Sequence, residues 1–161
     1  QEARPYMRLD LTVMNKKSSL MVLVFVSVLT LITTLSAADN ITVLDASFFK
    51  NFVSVNSLVR DDYIEKRLNS IIIGRGIITD ISENERYKKR FRIIVESSDA
   101  QAFGQKFYFY IFIDNRDTFD LLTKNSSFEF KGQLVGYTPL DTKRDEYILD
   151  VLFMDGSTII E

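Results

Sequence analysis

Residues 71–81 read IIIGRGIITDI, and here the spacing of the apolar residues changes from three or four to two. One face of this segment carries four residues in strict alternation: Ile72, Gly74, Gly76 and Ile78. An alternation with period two predicts a β-strand. Ile81 follows after an odd step, which predicts a β-bulge. Glycines inside a strand are typical of positions where a small closed sheet bends sharply. The segment therefore predicts a long strand that is both bulged and bent.

Four further strands are predicted along the chain, at residues 91–95, 106–113, 128–134 and 147–153. The second of these is aromatic or β-branched on both faces, and the others alternate apolar side chains. The polar residues 82–85 predict the turn that follows the first strand. Residues 116–124 predict a short helix after the third strand, with Asn115 as its N-cap.

Upstream of the strands, residues 45–69 repeat apolar side chains at intervals of three and four, which predicts a helix. Asp45 or Ser47 can cap its start, and a break is expected near residues 56–57 or 61–62. The resulting order is a helix followed by β-β-β-α-β-β. We therefore predict a mainly β fold, a five-stranded OB-fold barrel with an N-terminal helix and a short helix between strands 3 and 4. A generic five-stranded sandwich is the alternative.

Two parts of the sequence resemble the tRNA-anticodon-binding-like OB-fold family, a set of small bacterial domains that are often exported. Residues 51–56 and the helical segment after them lead into a "G-x-V-x-x-I" opening. The matching positions are Gly76, Ile78 and Ile81. Residues 118–124 followed by 128–132 are similar to the start of the family's fourth strand, although residues 125–127 replace its glycine–acid pair. The resemblance implies an OB-fold from about residue 48 onward. Small bacterial OB-fold stress proteins share the strand order, but they lack the long helix.

The composition removes most classes of enzyme. The 161 residues include 20 Lys and Arg, 22 Asp and Glu, and no Cys, His or Trp. Without Cys and His there is no disulfide framework, no thiolate or histidine metal site, and no Ser-His-Asp triad. We therefore expect no metal, no cofactor and no catalytic residues, with a glycan-cleaving hydrolase built on paired carboxylates as the competing class. The net charge of −2 argues against a globally basic nucleic-acid binder.

The N-terminal region predicts export. Two lysines at positions 16 and 17 precede the apolar residues 20–35, and small residues follow at 36–38. This is the pattern of a secretory signal peptide, with cleavage between Ala38 and Asp39, or two residues earlier, before Ala37. The alternative is an uncleaved anchor in the inner membrane. The predicted location is otherwise periplasmic or secreted.

The predicted division of the chain has four parts. Residues 1–13 are an upstream extension that is not native, and residues 14–38 are the signal peptide or anchor. Residues 39–70 are a helical segment, and residues 71–161 are the OB-fold barrel.

Basic residues are concentrated in residues 86–92, which contain five Lys and Arg. On an OB-fold they occupy the loop between the first two strands and the second strand itself, where such folds hold extended ligands. If the alternate residues of the third strand form the core, its tyrosines stand beside the arginines. The predicted ligand-binding residues are Lys88, Lys89, Arg90, Arg92, Tyr108 and Tyr110.

Bases beside aromatic rings can hold an extended ligand by charge pairing and stacking. We predict a non-catalytic binding module for an envelope glycan, an acidic peptide or a protein partner, and the predicted export disfavours nucleic acid. Membrane contact is expected only through an uncleaved N-terminal segment. The alternative is a structural accessory or protein–protein interaction domain in which the helix at 45–69 covers this face. The solvent exposure of Tyr108 and Tyr110 discriminates between the two.

Overall fold

Six strands and several short helices are formed by residues 41–154, the part of the chain that the computed structural model describes. The strands are β1 Ile41–Val43, β2 Ile71–Arg86, β3 Lys89–Glu96, β4 Lys106–Ile113, β5 Ser127–Pro139 and β6 Glu146–Phe153. The α-helices are α1 Ala46–Ser54, α2 Arg60–Glu65, α3 Ser98–Gln101 and α4 Arg116–Leu121, with a 3-10 helix at Ser57–Val59. The predicted cleavage site at Ala38 and Asp39 lies outside the described residues.

The strands form one mixed sheet in the order β1-β2-β3-β4-β6-β5, and pairing of β2 with β5 closes it into a ring. Within the ring only β4 and β6 run parallel, and the other pairs described are antiparallel. Helix α4 lies between β4 and β5 in the sequence. This is the strand order of the OB-fold, so the predicted fold class is confirmed.

Strand β2 closes the ring because it pairs with two strands in turn. Its first half pairs with β5, and its second half pairs with β3 after a register shift between Ile78 and Asp80. The predicted bulge is therefore present. At Gly76 an added Cβ would lie 2.0 Å from the carbonyl oxygen of Glu96, so the two backbones approach to a distance that only glycine permits.

Helix α1 closes one end of the ring with aromatic side chains. Asp45 caps the helix by accepting a hydrogen bond from the backbone N–H of Phe48 at 3.0 Å. The rings of Phe49 and Phe52 lie 5.0 and 5.3 Å from that of Phe107, at the start of β4. The ring of Phe52 is also 5.6 Å from that of Tyr147, at the start of β6. The helix therefore packs on the end of the closed sheet.

Three details differ from the predicted elements. The helical segment is interrupted at Asn56, as expected, but β1 precedes it and pairs parallel with β2. Residues 82–85 form no turn, because β2 continues to Arg86. The hairpin turns instead at Tyr87 and Lys88, which have φ values of 55° and 60°.

None of the helices within residues 41–154 is long and apolar enough to cross a membrane.

Candidate ligand-binding face

The outward-facing side chains of β3, β4 and β6 form one continuous surface, here called the outer face. They alternate along each strand with buried core residues such as Ile93, Ile111 and Val151. The outer face consists of Arg92, Ile94, Glu96, Tyr108, Tyr110, Phe112, Ile148, Asp150 and Leu152. It contains three of the six predicted ligand-binding residues.

Arg92 and Tyr110 form the centre of the outer face. The guanidinium carbon of Arg92 lies 5.1 Å from the centroid of the Tyr110 ring, and both residues are half-buried. Arg92 Nη2 donates to Ser82 Oγ at 3.3 Å. Its Nε is buried and has no hydrogen-bond partner among the described residues. The pair therefore presents a positive charge directly beside an aromatic ring, the combination that holds anionic groups and flat rings together.

The β2–β3 hairpin folds onto one side of the outer face. The Tyr87 ring packs edge-on against Phe112 with 5.1 Å between centroids, and its hydroxyl donates to Asp150 Oδ2 at 2.8 Å. Burial raises the pKa of Tyr87, and the hydrogen bond to Asp150 raises it further. Arg86 Nη2 lies 3.2 Å from the same carboxylate oxygen. Phe112 is only 1 % exposed although it points outward, which the covering hairpin explains.

The remaining predicted bases lie on or beside the hairpin tip. Lys88 and Arg90 are exposed and Lys89 is half-buried. Because Phe91 pairs with Ile113, the last residue of β4, Arg90 lies beyond the end of that strand. Its guanidinium is 5.8 Å from the Phe91 ring instead. The expectation that both arginines stand beside the tyrosines therefore holds for Arg92 and fails for Arg90.

Tyr108 lies toward the opposite end of the outer face, in acidic surroundings. It pairs across the sheet with Glu96, and the negative charge of Glu146 also acts on its hydroxyl. Burial raises the pKa of Tyr108, and the negative charges of these two glutamates add to the effect. The face therefore runs from the basic hairpin to a pair of carboxylates.

Helix α1 leaves the outer face open. Its packing partners on the sheet are Phe107 and Tyr147, which belong to the core, while Tyr108 and Tyr110 remain half-buried. Helix α1 therefore does not cover the outer face, whereas the predicted alternative required the helical segment 45–69 to cover it.

The loop between β5 and β6 is held by helix α2. Arg60 Nη1 lies 2.7 Å from Asp145 Oδ1, and Arg144 Nε lies 2.8 Å from Asp61 Oδ2. Asp61 also accepts a hydrogen bond from the buried Tyr147 hydroxyl at 3.0 Å. Burial raises the pKa of Tyr147 well above the ordinary value for tyrosine. The loop that borders the far end of the outer face is thereby fixed in place.

Sequence reasoning missed two kinds of residue at this face. Asp150, Glu96 and Glu146 carry no motif, and a lone acid in a strand gives no indication of its partner. Tyr87 lies inside the basic run, but its packing on Phe112 depends on the unpredicted position of the turn.

Within residues 41–154 no group of three or more acidic side chains could hold a metal ion.

Comparison with known proteins gives matches among solved structures alone. No protein-family model and no curated protein matches the chain. The asparaginyl-tRNA synthetase of Entamoeba histolytica, in complex with asparaginyl-adenylate, is 20% identical over 58% of this chain, with a TM-score of 0.37. The chain spans 21% of the length of that synthetase. A "putative nucleic acid-binding lipoprotein" from Klebsiella pneumoniae subsp. pneumoniae MGH 78578 is 16% identical over 79% of this chain and 97% of its own, with a TM-score of 0.44.

These matches correct one prediction. The expectation that disfavoured nucleic acid as a partner is wrong, because the matched structures include a tRNA synthetase and a protein named for binding nucleic acid. The prediction rested on the predicted export and on the net charge of the whole chain, and the argument from net charge is physically unsound. A net charge of −2 coexists with five bases in residues 86–92, and a local basic surface attracts anions whatever the total charge.

Proposed function

We propose that this chain is a non-catalytic OB-fold binding module of the cell envelope that holds an extended, negatively charged ligand on its outer face. The observation that carries the proposal is the contact between the Arg92 guanidinium and the half-exposed ring of Tyr110. The bond from Arg92 Nη2 to Ser82 Oγ holds the guanidinium in place beside that ring. Lys88 and Lys89 at the hairpin tip supply further positive charge next to Tyr87, whose ring packs on the outer face.

The ligand that uses both features of the site is a single-stranded nucleic acid. Its phosphates would pair with Arg92 and the hairpin lysines, and a base would stack on Tyr110. An acidic peptide would use the charges but not the aromatic ring to the same extent, and an acidic envelope glycan is the competing ligand because a sugar ring can also stack on tyrosine. Membership of the tRNA-anticodon-binding-like OB-fold family belongs to the same proposal, which the strand order supports.

Absence of catalysis and export are further parts of the proposal. The chain has no His or Cys, which are the usual general base and the usual thiol nucleophile of enzymes. Export rests on the signal-peptide pattern at residues 14–38. N-terminal sequencing of protein from the envelope fraction should begin at Asp39 or Ala37. An intact N-terminus on protein recovered from the cytosol would contradict export.

Replacing Arg92 by glutamate is expected to weaken binding of a single-stranded oligonucleotide by on the order of 10-fold or more, because one change removes a phosphate contact and the cation beside Tyr110. Arg92→Gln and Tyr110→Leu should each cause a smaller loss. Fluorescence anisotropy with a labelled oligonucleotide measures the affinity at several salt concentrations. The slope of log affinity against log salt should become shallower in both Arg92 variants.

Lys50→Glu is the matched control, since Lys50 is an exposed lysine on helix α1, away from the outer face. Like Arg92→Glu, it replaces a basic by an acidic residue, but it lies outside the proposed binding site. An acidic glycan and a polyglutamate peptide serve as competing ligands. Equal weakening by Lys50→Glu and Arg92→Glu would refute the proposed site. Tighter binding of the glycan or the peptide than of the oligonucleotide would replace nucleic acid by that ligand.

A further inference from the structure

Asp150 is a carboxylate in an unexpected place. It lies in the middle of β6 between the apolar core residues Leu149 and Val151, and it is only 6% exposed. Its Oδ1 is buried without a hydrogen-bond partner among the described residues. Burying a carboxylate costs free energy unless charges and hydrogen bonds compensate for the lost hydration. An apolar residue would fill this position more favourably, so the retained charge points to a task other than stability.

Within residues 41–154, the hydrogen-bond and ion-pair partners of Asp150 both come from the hairpin. Its Oδ2 accepts the hydrogen bond of the Tyr87 hydroxyl at 2.8 Å and lies 3.2 Å from Arg86 Nη2. The Arg86 guanidinium in turn lies 4.8 Å from the Tyr87 ring centroid and 5.8 Å from that of Phe112. Two consecutive hairpin residues thus converge on one buried carboxylate and one buried ring.

The hairpin needs such an attachment because its own pairing weakens toward the tip. The β2–β3 register is irregular between Glu83 and Arg86, and Arg86 pairs with Lys89 across the two-residue turn. Both turn residues have positive φ without being glycine or asparagine, a conformation that costs free energy. The contacts to Asp150 and Phe112 fix the direction in which the tip lies.

We infer that Asp150 is a positioning residue for the ligand site: through Arg86 and Tyr87 it holds the basic hairpin against the outer face that carries Arg92 and Tyr110. Its consequence for binding rests on the proposed function. The geometry also divides the basic residues by role. Arg86 is committed to Asp150, whereas the exposed Lys88 is free of such a buried partner.

Asp150→Leu in the full chain tests this inference. Leucine places an apolar side chain at this position beside Tyr110, and the Arg86 side chain, which is 54% exposed, can be hydrated when its carboxylate partner is lost, so the fold should persist. The freed hairpin should be cut by trypsin after Lys88 and Lys89 on the order of 10-fold faster, as followed by mass spectrometry. Oligonucleotide affinity should fall while the midpoint of thermal unfolding is unchanged or higher. Tyr87→Phe, which loses the hydrogen bond but keeps the ring, should accelerate cleavage less.

The control is Asp80→Leu, which removes a carboxylate that pairs with Lys124 at 2.7 Å on another part of the surface. It should leave cleavage at the hairpin tip unchanged. Unchanged cleavage in Asp150→Leu would overturn the inference, as would faster cleavage with undiminished oligonucleotide affinity. Faster cleavage in a protein whose wild type binds no oligonucleotide would support the attachment of the hairpin and refute the proposed function instead.

Discussion

Replacing Phe52 by alanine is expected to lower the free energy of unfolding by about 4 kcal/mol. The Phe52 side chain is fully buried, and its ring lies between 5.3 and 6.3 Å from four other aromatic rings. The Arg60 guanidinium lies 5.4 Å from the same ring. Alanine would leave a cavity where helix α1 meets the end of the closed sheet, because rings held by several neighbours cannot collapse into the space. Chemical denaturation followed by circular dichroism measures the loss.

Leu58→Ala is the control for this prediction, since Leu58 is an apolar residue of the same helical region that is 89% exposed. It should change the free energy of unfolding by less than about 0.5 kcal/mol. A Phe52→Ala protein as stable as the Leu58→Ala protein would show that α1 is not an integral part of the fold. The end of the closed sheet would then be stable without its helical cover.

Replacing Gly76 by alanine is expected to lower the free energy of unfolding by about 3 kcal/mol. The added Cβ would lie 2.0 Å from the carbonyl oxygen of Glu96 and 2.7 Å from its carbonyl carbon. Both are backbone atoms of β3, so no side chain can rotate away to make room. The strands would have to separate at the point where β2 passes from pairing with β5 to pairing with β3. Thermal unfolding should show a fall in midpoint of about 10 °C or more.

Gly136→Ala provides the matched comparison because it makes the same chemical change in another strand. Its added Cβ would be 3.4 Å from the nearest atom, Asp150 Oδ2, which is ordinary van der Waals contact. The change should alter stability by less than about 1 kcal/mol. Similar losses for the two variants would mean that the close approach of the backbones at Gly76 does not determine the result.

The succession of strands along the sequence was predictable because the alternation of apolar residues shows which face of each strand meets the core. The bulge after Ile78 and the cap at Asn115 were equally local, and both are present. Strand β1 has only three residues, too few for a period to show. The polar residues 82–85 suggested a turn because a strand that extends past the core has solvent on both faces, and its composition then resembles that of a loop.

For the candidate site, the sequence predicted which face of its own strand each side chain occupies, but not which side chains of neighbouring strands lie beside each other. Alternation placed Tyr108 and Tyr110 on the outer side, but the offset between β3 and β4 depends on the hairpin turn. The turn lies at Tyr87 and Lys88, where neither glycine nor asparagine marks it. That position puts Arg92 over Tyr110 and leaves Arg90 beyond the end of β4. Contacts between distant segments, such as those of Asp150, have no signature in a single sequence.

The unequal charge of the two ends of the outer face makes the surface directional. An anionic group is attracted at Arg92 and repelled near Tyr108, where Glu96 pairs across the sheet and the charge of Glu146 also acts. A uniformly charged polymer therefore cannot gain from lying along the whole of β4. A bound strand should cross the face or end on it, with its neutral or donor-rich part over Tyr108. The charge difference between the two ends of the outer face would then select the orientation of the bound strand before any individual chemical group is recognised.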